Sequence, residues 1–199
     1  SKPVAYKDGK ILLPIYLEFL VGRSYVCMVE PGKFAFATSC IDTGLQIGDG
    51  EFMTGDGQIQ PSIVYDEAKD EIIVYMRDTK KDAVPYSILS RGGLFGLTWK
   101  TDNGHTNLPN PDSAVELIRD GNDLYLVHNN SAKNREELTL SKTTLDNPKE
   151  FEVLQVIDTA NEGEQVSYAS GVIVNGVLKL TYTYEKDFIR YAEMNLSDF

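Results

Sequence analysis

The segment GVIVNGVLKLTYTY, residues 171–184, has the sequence pattern of a β-hairpin. Two runs rich in β-branched and aromatic residues flank Asn175-Gly176, and an Asn-Gly pair in that position favours a two-residue turn. Turn pairs such as Asp120-Gly121 recur along the chain between similar short runs. Short strands separated by such turns predict an all-β sandwich, barrel or propeller.

A weak internal repeat favours the propeller. Three strands are each followed by a loop that an aromatic residue closes, at Phe34, Trp99 and Phe151. Periods of about 40–50 residues with four strands each are typical of propeller blades. The best helix candidate, Pro111–Arg119, fits a period of two equally well, and we predict a strand there. Blades bury their faces against neighbours, so three or four blades imply a further part before Ser1.

The composition excludes several classes of function. Nineteen Lys and Arg against 30 Asp and Glu give a net charge of −11, which argues against sequence-independent binding to nucleic acid or to anionic membranes. No apolar run is long enough to span a membrane, and no signal peptide opens the chain. The spacing of Cys27, Cys40, His105 and His128 suggests no metal site. A disulfide is one option for the cysteines, and two buried thiols in separate strands are the favoured one.

Several motifs together resemble the sialidase (neuraminidase) superfamily, in its divergent BNR-repeat-like branch. Ser90–Trp99 resembles a degenerate Asp box that has lost its Asp. The other similar segments are Gln60–Val64 with Ile73–Arg77, Leu108–Ser113, Leu126–Asn130, Arg135 with Glu137–Ser141, Ser167-Tyr168, Thr181–Tyr184 and Ile189–Ala192. The resemblance implies a six-bladed β-propeller, of which this chain holds the C-terminal three to four blades. As parts of a single domain, these blades would cover roughly residues 1–54, 55–107, 108–160 and 161–199.

The resemblance also implies a site for an acidic sugar. Arg77 and Arg135 match two of the three arginines that hold the sugar's carboxylate, a role suited to the fixed donor fork of a guanidinium. The alternatives are a surface ion pair of Arg77 with Asp78 and a solvated charge at Arg135. Tyr168 matches the nucleophilic tyrosine, and its alternative is a core tyrosine at the rim of a strand.

The base that should activate the phenol is missing from the pattern. Sialidases use a Glu, and the matching position here is Gln60, whose amide cannot accept a proton at neutral pH. Glu18 is a substitute from an adjacent blade, although an outward-facing strand residue is the simpler interpretation.

Three functions therefore remain open. The first is a sialidase-like glycoside hydrolase acting on sialic acid or a related acidic sugar. The second is a non-catalytic carbohydrate-binding propeller, and the third is another glycosidase or lyase that uses carboxylates such as Glu18. We expect a glycan ligand and no metal or organic cofactor; the missing N-terminal blades are a possible partner, and the resemblance slightly favours export.

Overall fold

The computed structural model describes residues 2–18, 22–29, 39–42, 57–80, 82–91 and 97–199. The chain divides into two compact units. The first comprises Ser1–Arg77 and Pro85–Gly104, and the second comprises Asp78–Val84 and His105–Phe199. The described residues form almost only strands, with two short 3-10 turns at Lys7–Gly9 and Leu196–Asp198. No helix in these ranges is long and apolar enough to cross a membrane.

A four-stranded antiparallel sheet opens the first unit, in the order β1-β2-β3-β4. Its strands are β1 (Val4–Ala5), β2 (Ile11–Leu17), β3 (Arg23–Val29) and β4 (Ser39–Asp42). A second four-stranded sheet contains, in chain order, β5 (Gln58–Asp66), β6 (Glu71–Asp78), β7 (Ala83–Arg91) and β8 (Leu97–Pro109).

The core of the first unit includes β6, which is buried on both of its faces. Ile73 and Tyr75 are buried on one face, and Ile72, Val74 and Met76 are fully buried on the other. The last three pack in one cluster with Leu12 of β2 and Val26 of β3.

The preference for two free thiols is wrong. Cys27 is fully buried and disulfide-bonded. The register of β3 and β4 places it directly opposite Cys40, the only other cysteine in the sequence. Directly opposed residues of antiparallel strands have Cα atoms about 4.5–5.5 Å apart, which suits a disulfide.

The second unit contains two further antiparallel sheets. One has the order β12-β11-β10-β9, and the other has the order β13-β14-β15. Their strands are β9 (Glu116–Asp120), β10 (Asp123–His128), β11 (Glu137–Thr144), β12 (Glu152–Thr159), β13 (Val166–Val174), β14 (Val177–Tyr184) and β15 (Phe188–Asn195). Buried side chains of β10, β11 and β14, including Val127, Leu140 and Leu178, form one core cluster.

Several sequence expectations can be compared directly with these strands. The hairpin at 171–184 is confirmed, with Val174 opposite Val177 across the Asn175-Gly176 turn. The strand predicted for Pro111–Arg119 is correct only for its last four residues, since residues 111–115 are not in a strand and β9 spans Glu116–Asp120. Residues 92–96 of the Asp-box-like segment lie outside the described residues. The division of the chain into blades of one domain stays a prediction.

Candidate active site

In the first unit, Arg77 and Gln60 lie side by side on neighbouring strands. Arg77 is near the end of β6, and its Nη1 donates a hydrogen bond to Gln60 Oε1 at 3.0 Å. The amide of Gln60, on β5, donates from Nε2 to the hydroxyl of Tyr16 at 3.4 Å. These contacts connect a guanidinium, a neutral amide and a phenol. Nothing in the sequence singles out Tyr16, because its link to Gln60 spans 44 positions.

In the second unit, Arg135 and Tyr168 form the corresponding pair. Arg135 precedes β11 and donates from Nη1 to the Tyr168 hydroxyl at 3.4 Å, with its guanidinium carbon 5.9 Å from the centroid of the ring. Its Nη2 donates to the backbone carbonyl of Asp112. Tyr168 is 44% exposed, so its hydroxyl is not that of a core tyrosine.

The solvated-charge alternative for Arg135 also disagrees with its surroundings. The acidic neighbours have other partners: Glu136 accepts a hydrogen bond from the Gly163 N–H at 2.9 Å, and Glu137 accepts one from the Thr139 hydroxyl at 3.0 Å. Arg135 is partly buried, and its guanidinium donates hydrogen bonds to Tyr168 and to the Asp112 backbone. Neither of these contacts brings a carboxylate to the guanidinium, which suits the guanidinium to an anionic ligand.

The backbone is left-handed at three residues that contact the two arginines. Eight described non-glycine residues have positive φ, and only Gln60 (53°) and Tyr168 (55°) lie inside strands. Asp112, whose carbonyl accepts from Arg135, has a φ of 61°. Such conformations cost about 1–3 kcal/mol each and concentrate at functional sites, where the surrounding structure enforces them.

At Tyr168 the origin of the unusual backbone is a β-bulge. The register of β13 and β14 shifts between Ser167 and Ser170, so Tyr168 falls in the irregular part of the ladder. A bulge leaves a residue out of the regular pairing and redirects its side chain. The tyrosine therefore leaves the alternation of its strand and turns toward Arg135.

One buried amide holds together the segments that carry this pair. Asn129 is 1% exposed, and its Nδ2 donates to the carbonyls of Glu137 at 2.7 Å and Val166 at 2.8 Å. Its Oδ1 accepts from the Ser113 hydroxyl at 2.6 Å. These three partners lie one or two residues from Asp112, Arg135 and Tyr168. Asn129 therefore holds the three segments that carry these residues at fixed distances from one another. A further backbone bond joins the Val166 N–H to the Arg135 carbonyl at 2.8 Å.

The remaining predicted residue, Glu18, does not join either pair. It lies directly after β2 and is exposed. Among the described residues, it has neither a hydrogen bond nor an ion pair. Gln60 and Arg77 belong to the first unit, whereas Arg135 and Tyr168 belong to the second. The convergence of the two pairs into one pocket stays a prediction.

Two solved sialidase structures share the fold of this chain. The Hadza microbial sialidase superposes with a TM-score of 0.69 at 10% identity, over 99% of this chain and 37% of that one. The Trypanosoma rangeli sialidase, solved with 2,3-difluorosialic acid as a covalent intermediate, gives a TM-score of 0.65 at 14% identity, over 96% and 30% of the two chains. The likeness shows an all-β fold of the sialidase propeller type. The chain spans about a third of the length of these two proteins.

The sequence itself matches the family model described as BNR repeat-like domain over residues 1–180. The chain therefore belongs to the BNR repeat-like domain family, which confirms the resemblance inferred from its motifs. No curated protein matches the sequence.

Proposed function

We propose that the protein binds a sialic acid or a related acidic sugar and hydrolyses its glycosidic bond. The observation that carries the proposal is the contact between Arg135 and the exposed, left-handed Tyr168. A carboxylate ligand would take guanidinium donors from Arg135, and from Arg77 if the two pairs converge. A neutral phenol is a suitable nucleophile for an anionic sugar, because it avoids repulsion by the sugar's carboxylate.

The chemical step would proceed through a covalent tyrosyl intermediate. The Tyr168 oxygen would bond to the anomeric carbon as the bond to the leaving oxygen breaks, while an acid protonates that oxygen and a base takes the phenolic proton. Water would then cleave the tyrosyl bond. Gln60 cannot be the base, and Glu18 is the substitute that the sequence offers.

A second candidate function is carbohydrate binding without turnover. Gln60 favours it, since the amide contacts Arg77 at 3.0 Å where a carboxylate would supply a base. In that case the arginines would hold the sugar and Tyr168 would provide an aromatic contact. A third candidate function is that of another glycosidase or lyase, whose catalysis would depend on Glu18 and not on Tyr168.

Turnover of a fluorogenic sialoside by the whole protein separates these functions. We expect Tyr168→Phe to abolish turnover while sialic acid still binds, and the matched control Tyr191→Phe, an exposed tyrosine on β15, to leave turnover unchanged. Binding without turnover in the wild type would support the second function. Turnover that survives Tyr168→Phe and is lost in Glu18→Gln would support the third.

Binding is tested separately through Arg135. Hydrogen bonds to charged groups contribute about 1.5–3 kcal/mol, so Arg135→Ala should weaken sialic acid binding by about 10- to 150-fold. Calorimetry gives the affinity directly, and Lys133→Ala, which removes a neighbouring exposed cation, is the control. Equal affinities in wild type and Arg135→Ala would remove the arginine from the site.

A further inference from the structure

Three metal-ligating side chains meet where β6 ends. Asp78 is the last residue of β6, Asp82 precedes β7, and His105 lies on β8. One carboxylate oxygen of each aspartate and a ring nitrogen of His105 all lie within 4.8 Å of one another. All three residues belong to the second unit.

The Asp78 carboxylate is the buried member of this cluster. Its side chain is 3% exposed, its Oδ1 accepts the Lys80 N–H at 2.9 Å, and its Oδ2 faces His105 Nε2 at 3.9 Å. That separation is too long for a hydrogen bond. Two atoms that bind one Zn²⁺ at about 2.1 Å each lie up to about 4 Å apart, so the same gap fits two ligands of one ion. Buried carboxylates are normally paired or metal-bound.

The backbone around the cluster is already fixed. The Lys80 N–H holds one Asp78 oxygen, which turns the other toward His105. The carbonyl of Asp82 accepts the N–H of the fully buried Asn110 at 2.8 Å, which anchors the turn that carries Asp82. The side chains of Asp82 and His105 are exposed, so their torsions can adjust around an ion and water can occupy the fourth position.

We propose that Asp78, Asp82 and His105 bind a divalent transition metal of the zinc type. An imidazole with two carboxylates suits Zn²⁺, whereas Ca²⁺ and Mg²⁺ prefer oxygen ligands alone. The ion would fasten β8 to the turn between β6 and β7. None of these three side chains takes part in the proposed sugar binding or hydrolysis, so the metal test does not depend on the proposed hydrolase activity.

Calorimetric titration of the protein with ZnCl₂ alone tests the proposal. We expect one Zn²⁺ to bind, with an affinity that falls at least about tenfold in His105→Ala and in Asp82→Asn, since even residues behind the ligands change metal affinity by about 10–100-fold. Asp187→Asn, an exposed aspartate before β15, should bind as the wild type does. CaCl₂ should bind more weakly than ZnCl₂.

Thermal unfolding provides a second measurement on the same variants. Saturating Zn²⁺ should raise the Tm of the wild type, because it binds the folded state, and should not raise that of His105→Ala. The absence of stoichiometric binding would overturn the proposal. Loss in His105→Ala with full affinity in Asp82→Asn would also overturn it, because it would indicate a lone surface imidazole.

Discussion

Acidification should destabilise this protein through one buried histidine. His128 is fully buried at the end of β10, with its Nε2 2.8 Å from the Ser141 hydroxyl, and burial lowers its pKa from 6.5 to about 4. The folded state therefore keeps the ring neutral, whereas the unfolded chain binds a proton below pH 6.5. This contribution to stability is complete above pH 6.5 and is lost as the pH falls toward 4.

The magnitude follows from the difference between the two pKa values. The fall of the His128 pKa from 6.5 to about 4 corresponds to about 3 kcal/mol between the two protonation states. Integrated over pH, the folded state loses about 2 kcal/mol by pH 5 and about 3 kcal/mol by pH 4 from this group alone. Carboxylates that titrate at low pH also change the free energy of unfolding, so the variant His128→Gln is needed to isolate the contribution of the histidine.

Urea unfolding followed by circular dichroism at pH 7.5, 5 and 4 measures the effect. Between pH 7.5 and pH 5, the free energy of unfolding of the wild type should fall by about 2 kcal/mol more than that of His128→Gln. NMR titration provides a direct check, because the chain has two histidines and the variant identifies the His128 signal. A stability difference that is constant with pH, or a His128 signal that titrates near 6.5, would refute the reasoning.

Two further predictions concern packing around the candidate site. Gly171→Ala should destabilise the protein by about 1–3 kcal/mol, because a Cβ there would lie 2.3 Å from Leu180 Cδ2; Gly104→Ala, with its nearest atom at 3.8 Å, should be neutral in the same urea assay. Asn129→Ala should cost about 3 kcal/mol, since it deprives the carbonyl of buried Val166 of a donor, and it should also weaken sialic acid binding. Wild-type stability in Asn129→Ala would contradict its role behind the site.

The features that could be predicted from the sequence are those that depend on neighbouring residues or on short motifs. An Asn-Gly pair between two β-rich runs favours a hairpin turn, and the observed register confirms the turn at Asn175-Gly176. The family motifs also brought attention to Arg135 and Tyr168, which the structure places in contact. Each of these predictions depends on adjacent residues or on a motif of a few positions.

Contacts between distant segments could not be predicted in the same way. Asn129 serves the site through Val166, 37 positions away, and an asparagine after a strand carries no signal of that link. The cysteine pair depends on the register of two strands, which composition does not specify. His105 seemed isolated along the sequence, yet the sheet brings it to Asp78. The cysteine pair depends on a strand register, and the other two contacts depend on how strands and sheets are arranged in space, which one sequence leaves open.

At the left-handed residues of β5 and β13, Gln60 and Tyr168, thermal stability and ligand binding favour different amino acids. Glycine adopts positive φ without a steric penalty, so it would relieve the backbone at Gln60 and Tyr168 while removing the side chains that contact the arginines. A library selected for thermal tolerance alone should therefore accumulate glycine or asparagine at these two positions. One selected for sugar capture should retain the original residues and the less favourable backbone.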